Sequence, residues 1–364
     1  MLFKEDWDEA KPHFEAWWQR EIVDRVALSI RAPREHPIPD VGLLPEPAEP
    51  ADDTEYWTDA GYRVARAESQ FSRTSYLGEA FPFFSTDIGP GTLAVHLGSP
   101  PSFDKNTVWY NPVLETLAVA PKLEFNLADP WWKANLDLVR AGTTRGKEKY
   151  LTTLPDLVEN LDTLASLRGT EPLLYDLIEH PGTIHEAQRQ ILEAFFVGFD
   201  AIYELLEPAT PGGGCASLFQ VWGPGRVAKV QCDFSAMISP SMFREFVIPY
   251  LAEQCQRLDY TVYHLDGPNA MCHAKALCEI PELNAIQWTP GAAFPGCGHP
   301  MWLDFYRQIR ADGKGLLLLG LEPEEVEPLV RAIGPEGLFI STEVKSEQVA
   351  ERMLRDARNW TKSA

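Results

Sequence analysis

Short apolar runs alternate with longer segments of helical periodicity along this chain, and this alternation limits the folds open to it more than any other feature. Four runs in the second half follow one another, each succeeded by a helix-like segment; they cover residues 261–265, 285–288, 316–319 and 338–341. Strands that are connected through helices run parallel to one another in one sheet. The second half therefore predicts a parallel sheet covered by helices.

Further runs in the first half bring the number of predicted strands to eight. They begin at residues 26, 81, 149 and 216, and the run 227–232 is an alternative to the last of these. Eight parallel strands close a (β/α)8 barrel, whereas a doubly wound sheet usually needs fewer. We therefore predict an α/β fold with a single TIM barrel, whose core covers about residues 25–362 of one domain, 1–364.

Two additions to the barrel are expected near the amino terminus. Apolar residues such as Trp7, Phe14 and Trp17 recur at helical spacing and predict an N-terminal helix within residues 1–24. Residues 34–75 begin with a stretch rich in Pro, Glu and Asp and end in a helical pattern, which is typical of a surface excursion followed by a helix.

The chain carries a large excess of negative charge. It contains 53 Asp and Glu residues against 32 Lys and Arg residues, which gives a formal net charge of −21. Such a field repels a phosphate backbone and an anionic membrane surface, so we expect neither nucleic acid nor a membrane as a partner. The first eleven residues lack the apolar segment of a signal peptide, and the six cysteines show no CxxC spacing, so we expect a cytoplasmic protein with reduced thiols.

Active sites of (β/α)8 barrels lie at the carboxyl ends of the strands. The residues of useful chemistry that follow the predicted strands are Asp87, Asp156, Trp222 or Asp233, His264 with Asp266, Trp288, Glu322 and Glu343. The sequence contains no GxGxxG, Walker, GxSxG or HExxH motif, which disfavours dinucleotide-binding, nucleotide-triphosphate and serine-hydrolase functions.

The sharpest local signal is the pair His264 and Asp266 at the end of one predicted strand. Alternation along a strand places both side chains on the same side, so an imidazole and a carboxylate face one point. These two groups can chelate Zn²⁺ if another strand end supplies a third ligand. In the alternative interpretation Asp266 caps the helix that Pro268 begins, and His264 is hydrogen-bonded within the barrel mouth.

Two residues are candidates for the third metal ligand. Glu343 ends the last predicted strand, and Cys232 ends the strand region before His264 and offers a thiolate, which is the better zinc donor. The alternative for Cys232 is that of a small buried packing residue.

Other strand-end residues are candidates for catalysis and substrate binding. We expect catalytic roles for Asp87, Asp233 and His264, and a substrate-binding role for Asp156, although Asp87 and Asp156 suit turn capping equally well. Three aromatic residues would give the cleft an apolar wall, unless they lie in the core; they are Trp222, Tyr263 and Trp288.

The segment 233–250 combines an acidic residue (Asp233), Ser239-Pro240, a Phe-x-x-Phe pattern and Pro249-Tyr250. In this combination it resembles the uroporphyrinogen decarboxylase superfamily, and the stretch from His264 to Gly267 stands where members of that family carry His-x-Cys-Gly. The resemblance covers about residues 80–360 and implies a (β/α)8 barrel. It also implies one of two chemistries: cofactor-free decarboxylation of uroporphyrinogen, or zinc-dependent methyl transfer to or from a corrinoid protein.

The two branches of the superfamily match this sequence unequally. The Arg-rich segment with which the decarboxylases grip substrate carboxylates has no counterpart, because Arg31 and Arg34 stand in a different setting. The methyltransferase branch is similar at His264, but Asp266 replaces its cysteine and no later cysteine ligand follows near residues 319–322. Zinc bound by His and carboxylates is a harder Lewis acid than zinc bound by thiolates, and suits polarisation of an ether oxygen.

The leading hypothesis is therefore a methyltransferase component. It moves a methyl group from a small O-methylated substrate, with aromatic ethers included, to a corrinoid carried by a separate protein, with zinc as the Lewis acid. One alternative is a lyase of the decarboxylase type that uses Asp87 and His264 as acid and base on another carboxylated substrate. A second is a barrel without catalytic activity that binds a small ligand.

Overall fold

A computed structural model describes residues 1–206, 213–216 and 219–362 of the chain. The strands in this part of the chain are β1 (Ala27–Pro33), β2 (Thr74–Gly78), β3 (Phe83–Phe84), β4 (Pro101–Phe103), β5 (Val108–Tyr110), β6 (Leu151–Thr152), β7 (Gly214–Ala216), β8 (Val221–Gly223), β9 (Val227–Gln231), β10 (Tyr260–Asp266), β11 (Ala285–Thr289), β12 (Gly315–Leu321) and β13 (Leu338–Glu343).

Helices fill most of the sequence between these strands. The α-helices are α1 (Trp7–Trp18), α2 (Asp53–Thr58), α3 (Ala60–Arg73), α4 (Leu93–His96), α5 (Pro130–Gly146), α6 (Asn160–Arg168), α7 (Thr170–Glu179), α8 (Pro181–Leu206), α9 (Pro240–Phe246), α10 (Ile248–Gln256), α11 (Ala274–Cys278), α12 (Leu303–Ala311), α13 (Pro323–Ile333) and α14 (Glu347–Lys362). Short 3-10 helices cover Asp233–Met237, Pro268–His273 and Pro300–Trp302. Within the described ranges, no helix combines the length and the apolar character needed to cross a membrane.

The central sheet has the order β2-β1-β13-β12-β11-β10-β9. All of its strands run parallel except β2, which is antiparallel to β1. Strands β3 and β6 form a separate parallel pair, and β4–β5 and β7–β8 are antiparallel hairpins. The predicted α/β architecture with a parallel sheet is confirmed, whereas the hydrogen-bonded ladders of the described residues do not close into a barrel.

The parallel strands form two groups, the central sheet without β2 and the pair β3–β6. Seven of the eight predicted runs contain a strand of one of these groups. The prediction of a parallel strand in the eighth run was wrong. The run at 216 supplies only the hairpin β7–β8, and its residues 217 and 218 lie outside the described part of the chain. The alternative run supplies β9, which pairs with β10 in the central sheet. Apolar content alone could not separate the two runs, because both are short and apolar.

Two local features explain why the ladders stay open. On one side β2 returns from the excursion and pairs with β1 from Ser29 to Pro33, so it occupies the edge that β3 would need. Gly78 ends β2 in a left-handed conformation (φ 60°) against the carbonyl oxygen of Leu28, where a Cβ atom would clash. On the other side the amide of Gln231 in β9 donates a hydrogen bond to the carboxyl group of Glu159 (3.1 Å) instead of to a strand.

Helix α1 covers the amino-terminal ends of the parallel strands. The ring of Phe14 is fully buried and packs against Phe81, Trp222 and Phe339, at ring-centroid distances of 5.8, 6.2 and 5.6 Å. The indole nitrogen of Trp17 donates a hydrogen bond to the carbonyl oxygen of Gly337. The predicted N-terminal helix is therefore part of the core and closes the end opposite to the expected site.

We expect the substitution Phe14→Ala to lower the free energy of unfolding by about 3–5 kcal/mol, because it leaves a cavity among several aromatic rings. The half-exposed Phe294 is the matched control, and Phe294→Ala should change stability by about 0.5 kcal/mol or less. Urea unfolding followed by tryptophan fluorescence measures both. Equal losses in the two variants would contradict the role assigned to α1.

Candidate active site

The carboxyl ends of several parallel strands surround a cavity of about 460 Å³. Its polar lining includes Asp156, Asp162, Lys229, Gln231, Asp233, His264, Gln287 and Thr289, and its apolar lining includes Tyr110, Phe219 and Leu319. The volume is that of a site for a small molecule. The cavity lies at the end of the strands where the sequence predicts the active site.

Three predicted site residues come together here: Asp233 and His264 line the cavity, and Asp266 lies close to both. One possible ligand atom from each lies within 4.8 Å of those from the other two. The His264 Nε2 atom is 4.0 Å from Asp233 Oδ1. The capping role considered for Asp266 is not observed, since the 3-10 helix Pro268–His273 has Gly267 as its N-cap residue and no side-chain cap. Two carboxylates and one imidazole therefore face a common point.

Gln287 determines which nitrogen of His264 is available. Its side-chain amide group donates hydrogen bonds to the carbonyl oxygen of Trp288 and the hydroxyl group of Thr289, both at 2.9 Å. The amide oxygen of Gln287 is thereby directed at His264 Nδ1, which must carry a proton to donate to it. The neutral ring then has its lone pair on Nε2, on the side of Asp233. This is the tautomer that binds a metal ion.

Asp162 positions the backbone that carries Asp233. Its carboxylate accepts hydrogen bonds from the amides of Asp233 (2.8 Å) and Phe234 (2.7 Å), and from the side chain of Gln231 (3.0 Å). Gln231 also donates to Asp233 Oδ2 (3.1 Å). These bonds stabilise the first turn of the 3-10 helix and orient the Asp233 carboxylate.

Lys229 is the lysine of this cavity, and it is paired with Asp156. The Nζ atom lies 2.5 Å from Asp156 Oδ1, and both side chains are buried. The same ammonium group donates to the side-chain oxygen of Gln231. Asp87 lies behind Asp156, and its carboxylate accepts a hydrogen bond from the backbone amide of Asp156. Burial together with repulsion from Asp156 raises the pKa of Asp87 to about 6.

The crowding of carboxylates perturbs the groups of the cluster. Partial shielding from water and repulsion from Asp162 raise the pKa of Asp233 to about 7. Shielding from water and the charge of Lys229 lower the pKa of His264, so its ring is neutral near pH 7. Both effects favour a bound cation, because it offsets the repulsion among the carboxylates and needs an unprotonated imidazole.

The structure places the other predicted site residues elsewhere. Cys232 is buried in the core, where burial raises the pKa of its thiol far above the ordinary value. Glu343 forms an ion pair with Arg31 at 2.7 Å and lines a different cavity. Neither belongs to the group formed by Asp233, His264 and Asp266.

The three aromatic residues predicted to bind substrate also lie away from the cavity. Tyr263 and Trp288 are fully buried in the core. Trp222 packs against α1 at the amino-terminal ends of the strands, with its carbonyl oxygen bound by the indole nitrogen of Trp18 (2.9 Å). Their size and burial suit packing, which was the alternative considered for each of them.

Four polar residues of the site were missed in the sequence: Asp162, Lys229, Gln231 and Gln287. A sequence signal was present for two of them, Lys229 and Gln231. Lys229, Gln231 and Asp233 alternate with apolar residues along one run, so strand periodicity alone places them on one face. Gln287 lies opposite His264 in the register of β10 and β11. Asp162 carries no comparable signal, because it reaches the site from α6.

No protein-family model and no curated protein matches the sequence. Among solved structures, a methyltransferase from Methanosarcina mazei aligns with a TM-score of 0.62 over 96% of this chain and 98% of that chain, at 13% identity. A B12-independent methionine synthase from Shewanella sp. W3-18-1, in complex with selenomethionine, has a TM-score of 0.40 over 75% of this chain and 77% of that chain, at 11% identity. The first similarity shows a shared fold.

Glu159 lies fully buried beside β9, and its burial raises the pKa of the carboxyl group to about 8. We expect this group to make stability fall with rising pH: between about pH 4.5 and 8 the unfolded chain loses the proton that the folded chain keeps. The free energy of unfolding of wild type relative to Glu159→Gln should therefore fall by on the order of 1 kcal/mol per pH unit in this window.

Urea unfolding at pH 5, 6, 7 and 8 measures this difference, and the exposed Glu179→Gln is the matched control. Glutamine keeps the acceptor oxygen for the Gln231 amide, so the variant should fold. A difference between wild type and Glu159→Gln that stays constant from pH 5 to 8 would show that Glu159 is ionised in the folded protein.

Proposed function

We propose that this chain is a methyltransferase component that takes a methyl group from a small O-methylated substrate and delivers it to a corrinoid carried by a separate protein. The observation that carries the proposal is the convergence of Asp233, His264 and Asp266, with His264 Nε2 free of a proton. The fold shared with a methyltransferase from Methanosarcina mazei supports it, as does the motif resemblance of residues 233–267.

The proposal includes a (β/α)8 barrel as the scaffold. Eight parallel strands are present in the two groups, and residues of both groups share one core cluster at the amino-terminal ends, among them Ala27, Leu151, Val227 and Phe339. In this arrangement the barrel has two seams without ladder hydrogen bonds, one beside β2 and one beside Glu159. Open seams of this kind are compatible with a closed core, because side chains fill the interior of such barrels.

The donor set of the cluster fits zinc. An imidazole and two carboxylates give three protein ligands, which is the number that catalytic zinc sites use before the substrate takes the remaining position. The proposal gives Asp233 the place that the sequence left open between Glu343 and Cys232, because its carboxylate lies beside His264 and Asp266. Zinc bound there would supply a Lewis acid for the ether oxygen, whose departure from the methyl group leaves negative charge behind.

The residues around the cluster have separable tasks. Gln287 holds the His264 tautomer, and Asp162 with Gln231 holds the Asp233 carboxylate. The ring of Phe219 lies 5.9 Å from that of His264 and forms an apolar wall beside the cluster. Such a wall suits the body of an aromatic ether and excludes water from one side of the site.

The lyase alternative receives less support from the geometry. A pKa near 6 would suit Asp87 for acid catalysis, but Asp87 lies behind Asp156 and does not line the cavity. A general acid must come within hydrogen-bond reach of its substrate. The second alternative, a barrel without catalytic activity, would bind a small ligand but show no turnover.

We expect about one zinc ion per chain, and Asp266→Asn should fold normally but bind zinc at least about tenfold more weakly, because an amide is a neutral and poorer ligand. Its side chain makes no hydrogen bond within the described part of the chain, so little stability is at stake. Elemental analysis and competition with a chromogenic chelator measure the affinity. The exposed Asp312→Asn, at the end of α12, is the matched control.

The reaction itself is tested with a panel of methoxylated phenols and reduced free cobalamin as the methyl acceptor. We expect zinc-dependent appearance of the demethylated phenol and of methylcobalamin in equal amounts, lost in Asp266→Asn and kept in Asp312→Asn. Full zinc occupancy and full turnover in Asp266→Asn would overturn the role of the cluster. Zinc binding without methylcobalamin from any member of the panel would count against methyl transfer.

The hydrogen bond from His264 to Gln287 gives a separate prediction. Gln287→Leu removes the acceptor for Nδ1–H, and we expect zinc affinity to fall by about 10- to 100-fold. Gln287→Glu restores an acceptor and should bind zinc more tightly than Gln287→Leu. The same chelator competition measures both variants, with circular dichroism as the check on folding. Unchanged affinity in Gln287→Leu would exclude a positioning role for this residue.

A further inference from the structure

A second cavity, of about 780 Å³, lies between α3 and the carboxyl ends of β1, β3 and β13. We call it the arginine cavity, after Arg31, Arg63, Arg66 and Arg73, which line it. It shares no lining residue with the candidate active site. The two cavities therefore present different chemistry, although both lie among the carboxyl ends of parallel strands.

The charge of the arginine cavity is opposite to that of the chain. Glu343 is the acidic residue of its lining, and it is paired with Arg31 at 2.7 Å. Arg66 and Arg73 form no ion pair with a carboxylate in the ranges that the structure describes. In a chain of net charge −21, arginines without acidic partners on a cavity wall are available to an anion.

Helix α3 places these cations on one face. Arg63, Arg66, Gln70 and Arg73 follow at spacings of three, four and three residues, which bring them to the same side of a helix. Arg63 anchors the helix by donating to the backbone carbonyl oxygens of Trp57, Asp87 (2.7 Å) and Ser85 (3.1 Å). It is thus committed to structure, whereas Arg66 and Arg73 retain donors for a ligand.

Contacts of Arg66 and Arg73 keep their side chains in place without neutralising them. Arg66 donates to the hydroxyl group of Tyr56 and lies over the ring of that residue, 4.9 Å from its centroid. Arg73 donates to the carbonyl oxygens of Leu44 and Ser69, both at 2.7 Å. A guanidinium group has five N–H donors, so each side chain can still bind an oxyanion.

Five aromatic residues contribute to the rest of the lining. They are Phe71, Tyr76, Phe81, Phe83 and Phe84. An inorganic anion would leave this surface without a contact. An organic anion fits better, because its charged group meets the arginines while its apolar body covers the rings.

We propose that the arginine cavity binds a small organic anion, with a carboxylate or phosphate group held by Arg66 and Arg73 and an apolar body against the aromatic residues. Three of its four arginines lie on α3, outside the part of the chain that carries the family resemblance. The site is independent of the metal cluster and of the function proposed for it.

Isothermal titration with phenyl phosphate, benzoate, inorganic phosphate and benzyl alcohol tests the proposal on the full chain. We expect an aromatic anion, phenyl phosphate or benzoate, to bind at least about tenfold more tightly than neutral benzyl alcohol, which corresponds to one charge-assisted contact. The tighter of the two shows whether the site prefers phosphate or carboxylate. Equal binding of both anions and benzyl alcohol, or inorganic phosphate as the tightest ligand, would overturn the proposal.

Arg66→Gln and Arg73→Gln should each weaken the aromatic anion about tenfold, with benzyl alcohol unaffected. The exposed Arg355→Gln on α14 is the matched control, and thermal unfolding verifies that the variants fold. Asp266→Asn should bind the anion as wild type does. If Asp266→Asn loses anion binding while Arg66→Gln keeps it, the anion binds in the candidate active site and the proposal is overturned. This outcome would leave the methyltransferase hypothesis unaffected.

Discussion

The ion pair between Lys229 and Asp156 holds together a region that would otherwise repel itself. Asp87, Asp156, Asp162 and Asp233 come from different segments and meet at the carboxyl ends of the strands. Lys229 neutralises one of them at 2.5 Å, and hydrogen bonds from backbone amides stabilise others. Burial, and after it the remaining repulsion between carboxylates, raises the pKa values of Asp87 and Asp233. A cation beside Asp233 would relieve it.

The geometry of the cluster formed by Asp233, His264 and Asp266 depends on residues outside it. Gln287 sets the proton on His264, and Asp162 sets the direction of the Asp233 backbone. Because Gln287 and His264 are register partners on adjacent strands, the sheet itself determines this contact. Orienting hydrogen bonds on His264 and Asp233 would keep the proposed metal site formed before an ion binds.

The excursion between β1 and β3 changes more than the surface. Its strand β2 occupies the edge of β1, and its helix α3 carries three of the four arginines of the arginine cavity. Arg63 links this helix to the loop of Asp87 through backbone carbonyl oxygens. One insertion therefore opens a seam in the sheet and builds a cationic surface next to a carboxylate-rich one.

Periodicity in the sequence was enough to predict the parallel strands and the N-terminal helix, because these elements depend on local alternation of apolar residues. Strand-end chemistry was enough to predict the cluster residues Asp233, His264 and Asp266, because the carboxyl ends of parallel strands share one edge. Tertiary structure alone decided the rest. Cys232 and Glu343 also end strands, but the side chain of Cys232 points into the core and that of Glu343 points toward Arg31. No local sequence pattern gives the distance between two strand ends. Trp222 lies at the opposite end of the strands because β8 belongs to a hairpin. Asp162 and Gln287 reach the site only through the packing of α6 and the pairing of β11, which join residues far apart in sequence.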